Sequence, residues 1–184
     1  MIRAFAALDI PQAQRMELMI VQQGLPVPRL VPPENLHLTL VFLGEIEESA
    51  LEEVHLAWQA LRMPGFEVSL RGLRGLGVFG GGKPRAVYAG AAECPGLARL
   101  QAKLEQAARG AGLTLERRRF VPHVTLARIN RPLADPERLE RHLAMRADFA
   151  APPFAVDHFA LYRSDLGAGG ARYEELARYP LGPA

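Results

Sequence analysis

Strands and helices interspersed along one chain, with several strand pairs close enough in sequence to form hairpins, predict an α+β fold rather than a doubly wound parallel sheet. Two stretches carry that reading. The run Leu36-His37-Leu38-Thr39-Leu40-Val41-Phe42-Leu43 is apolar and rich in strand formers, and its His-apolar-Thr-Leu pattern returns at His123-Val124-Thr125-Leu126, 86 residues later. At the C-terminal end, residues 154–163 and 171–179 read as a strand pair joined by Gly167-Ala168-Gly169-Gly170. With 184 residues, 49% hydrophobic and 23% charged, the chain has the composition of one globular domain with an ample core.

Taken in order, Ile2 to Leu8 reads as a strand. Asp9-Ile10-Pro11 then opens a helix, with Asp9 as its cap and Pro11 in its first turn, and Gly24 and Pro26 stop it after Gln23. The Pro-rich piece from Pro26 to Pro33 is a surface connection into the first motif strand, which Gly44 closes. A second helix spans Glu48 to Arg62, with Leu51, Val54, Trp58 and Leu61 on one face and His55 at its packing edge. Phe66 to Leu76 alternates as a half-exposed strand would, projecting Arg71 and Arg74 outward.

Gly77 to Lys83 formally satisfies G-x-x-x-x-G-K, but a phosphate-binding P-loop needs a Ser or Thr after the Lys and a helix beyond it. Pro84 stands there, and Arg85 to Gly90 reads as a strand. The stretch is a glycine turn that leaves Lys83 or Arg85 within reach of a phosphate. Pro95 and Leu97 to Ala108 form a third helix, ended by Gly110 and Gly112. Arg117, Arg118 and Arg119 form a solvated run beside the second motif, where an RNA-backbone role stays open. Asp135-Pro136 begins a fourth helix, to Met145, with His142 beside Leu139 and Leu143; His158 reads as a structural strand His.

Net charge is +2, so no polybasic tail grips duplex nucleic acid. Only Lys83 and Lys103 are Lys; Arg suits bidentate phosphate contacts, but its excess reads first as coding bias. Cys94 is alone, so no intrachain disulfide forms, as suits a reducing cytosol. No stretch approaches a membrane span, and Met1-Ile2-Arg3 leads into a strand rather than a signal peptide. The expected location is cytoplasmic.

Residues two apart on a strand share a face. Each motif His therefore sits beside its own Thr, while Leu38, Leu40, Val124 and Leu126 point into a core. An imidazole and a hydroxyl presented twice in this way form two halves of one polar cleft. With those motifs and their flanks, Asn35-Leu36-His37-Leu38-Thr39-Leu40-Val41-Phe42-Leu43-Gly44 and Pro122-His123-Val124-Thr125-Leu126-Ala127-Arg128, the chain resembles the 2H phosphoesterase superfamily. Within it, the chain is most similar to the RNA 2′,3′-cyclic phosphodiesterases, also called 2′-5′ RNA ligases. Arg3-Ala4-Phe5-Ala6-Ala7-Leu8-Asp9, Pro84-Arg85-Ala86-Val87-Tyr88 and the Gly-rich turn before Tyr173 resemble weaker signatures of that family.

The resemblance implies a single bilobal domain over residues 1–184, with two antiparallel sheets backed by helices facing across a central cleft, one motif in each lobe. It implies hydrolysis of RNA 2′,3′-cyclic phosphate ends to 2′-phosphates, with His37 as proton donor to the leaving 3′ oxygen and His123 as proton acceptor. The residues alone do not say which His is the acid. Thr39 and Thr125 are the expected substrate-binding hydroxyls, with Arg128 and Arg85 as further candidates. Arg128, five residues after His123, points away from it if the strand is regular.

Opening a cyclic phosphate needs proton loss from the nucleophile and proton gain by the departing oxygen. Two imidazoles suit this, because His exchanges its proton near neutrality, and hydroxyls can donate to the non-bridging oxygens as charge builds. No metal or other cofactor is needed, and no H-x-x-x-H cluster offers one. The same two His are competent for the alternative reaction, joining a cyclic phosphate end to a 5′-hydroxyl end. A non-catalytic RNA-end-binding module would need stacking platforms, which an aromatic fraction of 7% does not make evident. Expected partners are RNA ends or nucleoside 2′,3′-cyclic phosphates, with no membrane, and the expected state is a monomer.

Overall fold

In the computed structural model, which describes residues 1–71, 76–79, 85–116, 118–167 and 170–183, the chain begins as β1 (Ile2–Asp9), α1 (Gln12–Gln22) and a 3-10 turn at Pro33–Asn35. It continues through β2 (His37–Ile46), α2 (Glu48–Gln59), β3 (Phe66–Val68), β4 (Leu76–Phe79), β5 (Ala86–Gly90), α3 (Pro95–Gly110) and β6 (His123–Arg128). The last elements are α4 (Pro136–Ala144), β7 (Phe154–Val156), β8 (His158–Gly167) and β9 (Gly170–Pro180). Seven strands form one sheet in the order β4-β5-β6-β2-β1-β8-β9, and β3 pairs with β7 in a second; the described pairings are antiparallel.

Both motif strands lie side by side at the middle of the larger sheet. They pair at one position, Leu38 opposite Val124. Beyond it they part, and residues 29–31 run beside β6 instead: Val31 N–H donates to the Leu126 carbonyl (2.9 Å) and Arg128 N–H to that of Arg29 (3.0 Å). Gln22, buried on α1, fastens this junction by donating from Nε2 to the carbonyls of both Val31 and Leu126 at 2.8 Å. The sheet is thus two halves, β4-β5-β6 and β2-β1-β8-β9, meeting at a narrow seam.

Hydrophobic burial fixes which face of that seam is which. Leu38 and Val124 are wholly buried, in one core with Leu18, Val54, Trp58, Leu100 and Leu104 from the helices. Burying such a side chain is worth about 1.5–3 kcal/mol, and a one-residue slip would turn all of them outward. The His and Thr between them are therefore held on the opposite face. Trp58 anchors α2 to α3 by donating from Nε1 to the Leu104 carbonyl (3.1 Å).

Several elements differ from the sequence reading. Asp9 does not cap α1: Pro11, extended at φ −61°, precedes the helix and its carbonyl takes the Arg15 N–H, while the Asp9 side chain bonds β8 and β9. Gly44 does not end β2. Its φ of +80° lies in the left-handed region, at a bulge where Leu43 has no partner, and the strand continues to Ile46. The second helix stops at Gln59. The alternation from Phe66 persists in burial, with Val68 and Leu70 inside and Arg71 exposed, but ladder pairing lasts only to Val68. The strand expected from Phe154 divides at Asp157, so that β7 serves the small sheet and β8 the large one. Arg74, Lys83, Arg117, and the turn residues 80–84 and 168–169, lie outside the described residues. Residues 86–90 form a strand, as the rejection of a P-loop requires. Cys94 caps α3, its Sγ accepting from Leu97 N–H at 3.4 Å.

Candidate active site

The antiparallel register assembles the four motif side chains on one face. With Leu38 opposite Val124, His37 falls beside Thr125 and Thr39 beside His123, in an approximate two-fold arrangement. On the flanks, Asp9 stands opposite His37 and Ala7 opposite Thr39, while Gly90 stands opposite His123 and Tyr88 opposite Thr125. Each motif residue is partly exposed between buried neighbours.

Both motif strands then bulge at the same place. In β2, Thr39 pairs with Ala7 and Val41 with Ala6, leaving Leu40 over; in β6, Thr125 pairs with Tyr88 and Ala127 with Val87, leaving Leu126 over. Both residues of each bulge are buried, and past the bulge the strand's inward and outward positions exchange. Arg128 therefore rejoins the face of His123 and Thr125, contrary to the regular-strand expectation. Its positive charge depresses the pKa of both His37 and His123. By the same geometry Phe42, the equivalent residue of β2, rejoins the face of His37 and Thr39.

The two imidazoles are oriented alike. His37 Nδ1 lies 2.7 Å from the carbonyl of Asn35, and His123 Nδ1 lies 2.7 Å from that of Val121, each two residues back. A carbonyl only accepts, so Nδ1 carries a proton in both charge states and the titrating proton belongs to Nε2. Burial pushes the His37 pKa down to about 4; the Asn35 carbonyl opposes this, and Arg128 and His123 add to it. Burial lowers that of His123 as well, again with Arg128 adding to the effect. Both rings are neutral at pH 7 before an anion arrives.

Sequence reasoning missed the roof over His37. The β8–β9 hairpin bends back across the sheet face, so that the Tyr173 ring meets His37 edge-on at 5.0 Å and the Ala171 carbonyl accepts from Asn35 Nδ2 at 2.8 Å. Asn35 thus links the hairpin, through its side chain, to the residue whose carbonyl orients His37. Phe5 lies beneath, 4.9 Å from His37 and 5.0 Å from Tyr173. On the other side, Tyr88 meets His123 edge-on at 5.4 Å. The strand pair itself is expected from the sequence, and β8 and β9 do pair; its contact with His37 is not.

Beside His37, Asp9 accepts hydrogen bonds from Tyr162 and from Arg178 Nη2 (3.1 Å), and His158 Nε2 lies 3.3 Å away. Glu175 holds the same guanidinium at 2.6 Å. His158 therefore borders the site rather than merely filling a strand. Arg85 is exposed and one residue off the face that Ala86 and Tyr88 share, with its carbonyl bonded to Ile129 N–H. Arg118 is exposed and paired with Glu116. His55 is bonded to Tyr179 and His142 packs within the helical layer, both away from the quartet. Among the described residues no three His, Cys, Asp or Glu side chains are grouped to hold a metal ion, and no helix is long and apolar enough to cross a membrane.

A family model described as the 2′-5′ RNA ligase superfamily matches residues 11–168. An Escherichia coli protein named RNA 2′,3′-cyclic phosphodiesterase is 32% identical, over 97% of this chain and 96% of its own length. A solved structure from Thermus thermophilus superposes with a TM-score of 0.77 at 31% identity, over 98% of both chains. The structure of E. coli LigT complexed with 3′-AMP gives a TM-score of 0.74 at 29% identity, again over 98% of both.

Proposed function

This chain belongs to the 2′-5′ RNA ligase superfamily, and from that premise we propose that it hydrolyses RNA 2′,3′-cyclic phosphate ends to 2′-phosphates with His37 and His123 as acid and base. It is a cyclic phosphodiesterase. The observation that carries the site assignment is the pairing of two imidazoles on adjacent antiparallel strands, each held by its own backbone so that Nε2 exchanges the proton. The likeness to a LigT structure holding 3′-AMP supports binding of a nucleotide end.

In the reaction, His123 Nε2 takes the proton of a water whose oxygen attacks phosphorus. The P–O3′ bond breaks in line, and protonated His37 gives its Nε2 proton to O3′. Thr39 and Thr125 donate to the non-bridging oxygens as their charge grows, and Arg128 offsets the extra negative charge. The single Cys94 is in keeping with a cytoplasmic setting, and an RNA end or a nucleoside cyclic phosphate is the partner. Incubation with a nucleoside 2′,3′-cyclic phosphate in excess EDTA is expected to give the 2′-phosphate at an undiminished rate. A 3′-phosphate product would reverse the direction of opening, and a rate restored only by Zn²⁺ or Mn²⁺ would replace the mechanism with a metallohydrolase.

The lowered pKa values give a pH dependence with a definite sign. kcat/KM reports the free enzyme, in which His123 must be neutral and His37 protonated. Because His37 titrates near pH 4 and His123 below its ordinary value, the optimum of kcat/KM is expected on the acid side of pH 6.5. A bound phosphate favours the charged imidazole, so the alkaline limb of kcat should lie at higher pH than that of kcat/KM. Arg128→Ala removes a charge that depresses both rings, and its kcat/KM profile is expected to move to higher pH. An unmoved profile would show that Arg128 does not act on the pair.

A further inference from the structure

The quartet is symmetric about the seam, and its flanks are not. β5 stands beside β6 as β1 stands beside β2, so the residues opposite the two imidazoles occupy equivalent positions. Opposite His37 that residue is Asp9; opposite His123 it is Gly90. Directly opposed residues of an antiparallel pair turn their side chains to the same face. The first-motif histidine therefore has a carboxylate on its side of the sheet, and at the equivalent place the second has no side chain.

That carboxylate is firmly held. Asp9 Oδ1 accepts from the Tyr162 hydroxyl on β8, and Oδ2 accepts from Arg178 Nη2 on β9 at 3.1 Å. Glu175 Oε2 holds the same Nη2 at 2.6 Å. His158 Nε2 lies 3.3 Å from Asp9 Oδ2 and 2.8 Å from Arg178 Nη1, with Asp157 at 2.5 Å from its other nitrogen. Burial pushes the Asp9 pKa up, but the Tyr162 and His158 contacts and the Arg178 charge outweigh it and hold the carboxyl below its usual range. Asp9 is an anion at neutral pH.

On the mechanism above, the proton to be donated must sit on His37, and burial opposes this more than any other influence. The Asn35 carbonyl favours that proton, while Arg128 and His123, acting from β6, oppose it. Among the described residues, Asp9 is the one further charged side chain acting on the ring, and it favours the proton. The charged side chain acting on His123 is Arg128, which disfavours a proton there. Phe5 and Tyr173 pack against His37, and a nearby charge is felt more strongly where rings replace water. Taking His37 as acid and His123 as base, we propose that Asp9 is a positioning residue. Fixed by Tyr162 and Arg178, its charge holds the reacting proton on the first-motif histidine and gives two otherwise equivalent imidazoles their different roles.

Asp9→Asn keeps the size of the side chain and removes its charge. kcat/KM follows the fraction of free enzyme with His37 protonated and His123 neutral. Above both histidine pKa values that fraction scales with the proton affinity of His37; below both it depends on His123 alone. With a nucleoside 2′,3′-cyclic phosphate, kcat/KM is therefore expected to be about 3–10-fold lower in the variant on the alkaline side, with the two profiles converging at the acid end. Asp9→Glu, which keeps the charge, should recover most of the loss. Ring titrations followed by NMR without substrate should show a lower midpoint for His37 in Asp9→Asn and an unmoved one for His123. A kcat/KM that falls equally at every pH makes Asp9 merely structural and overturns the proposal. So do an unchanged alkaline rate, a Glu variant as slow as the Asn variant, and NMR midpoints that move together. A lower His37 midpoint combined with a wild-type rate in His37→Ala would instead remove the acid and base assignment on which the proposal rests.

Discussion

Replacing either His37 or His123 by Ala is expected to lower kcat on a nucleoside 2′,3′-cyclic phosphate by ~10²–10⁴-fold, the usual worth of a positioned proton donor or acceptor. Each ring is only partly exposed and sits on the side of its strand away from the core, so the loss removes chemistry before it removes packing. His55→Ala and His142→Ala supply the comparison. Both side chains lie away from the quartet, and each variant, if its circular dichroism is that of wild type, should turn over within a few fold of it. His158 is a poorer control, because it touches Asp9, which stands opposite His37. A silent His37 or His123 variant would mean that one imidazole carries the reaction alone.

Thr39→Ala and Thr125→Ala are each expected to slow turnover by ~10–10³-fold, the cost of one donor to a developing negative charge. The register places these hydroxyls diagonally, each beside the imidazole of the other strand. The donor is lost in the transition state more than in the bound substrate, so kcat should fall with little rise in KM. Substitution by Ser, which keeps the hydroxyl, should restore most of the rate. Wild-type rates in both Ala variants would reduce the hydroxyls to strand neighbours of the His pair.

The quartet is legible in sequence because it needs only the two-residue period of a strand and a buried partner for every exposed residue. That same rule misplaces Arg128. A bulge breaks the period, and its trace is present in the doubled apolar pairs Leu40-Val41 and Leu126-Ala127, where regular alternation calls for a polar residue. Asp9 reads as a cap from its place before Pro11, but an isolated carboxylate goes to the strongest donors within reach. Here these are Tyr162 and Arg178, more than 150 residues along the chain and invisible to local reasoning. The bend of the β8–β9 hairpin over His37 has no local signature either, since it is held by a side chain far from it, Asn35. The cluster of Phe5, His37, Phe42 and Tyr173 rings is likewise built from residues that only the sheet and its hairpin bring together.

The most direct test is the rate of the double variant His37→Ala/His123→Ala beside the two singles, measured as 2′-phosphate formed. Two groups that move protons on one phosphorus act as a unit, and the double variant should be little slower than the slower single. If the two losses instead multiply, each imidazole works independently, and a shared acid–base pair at the seam between β2 and β6 is contradicted.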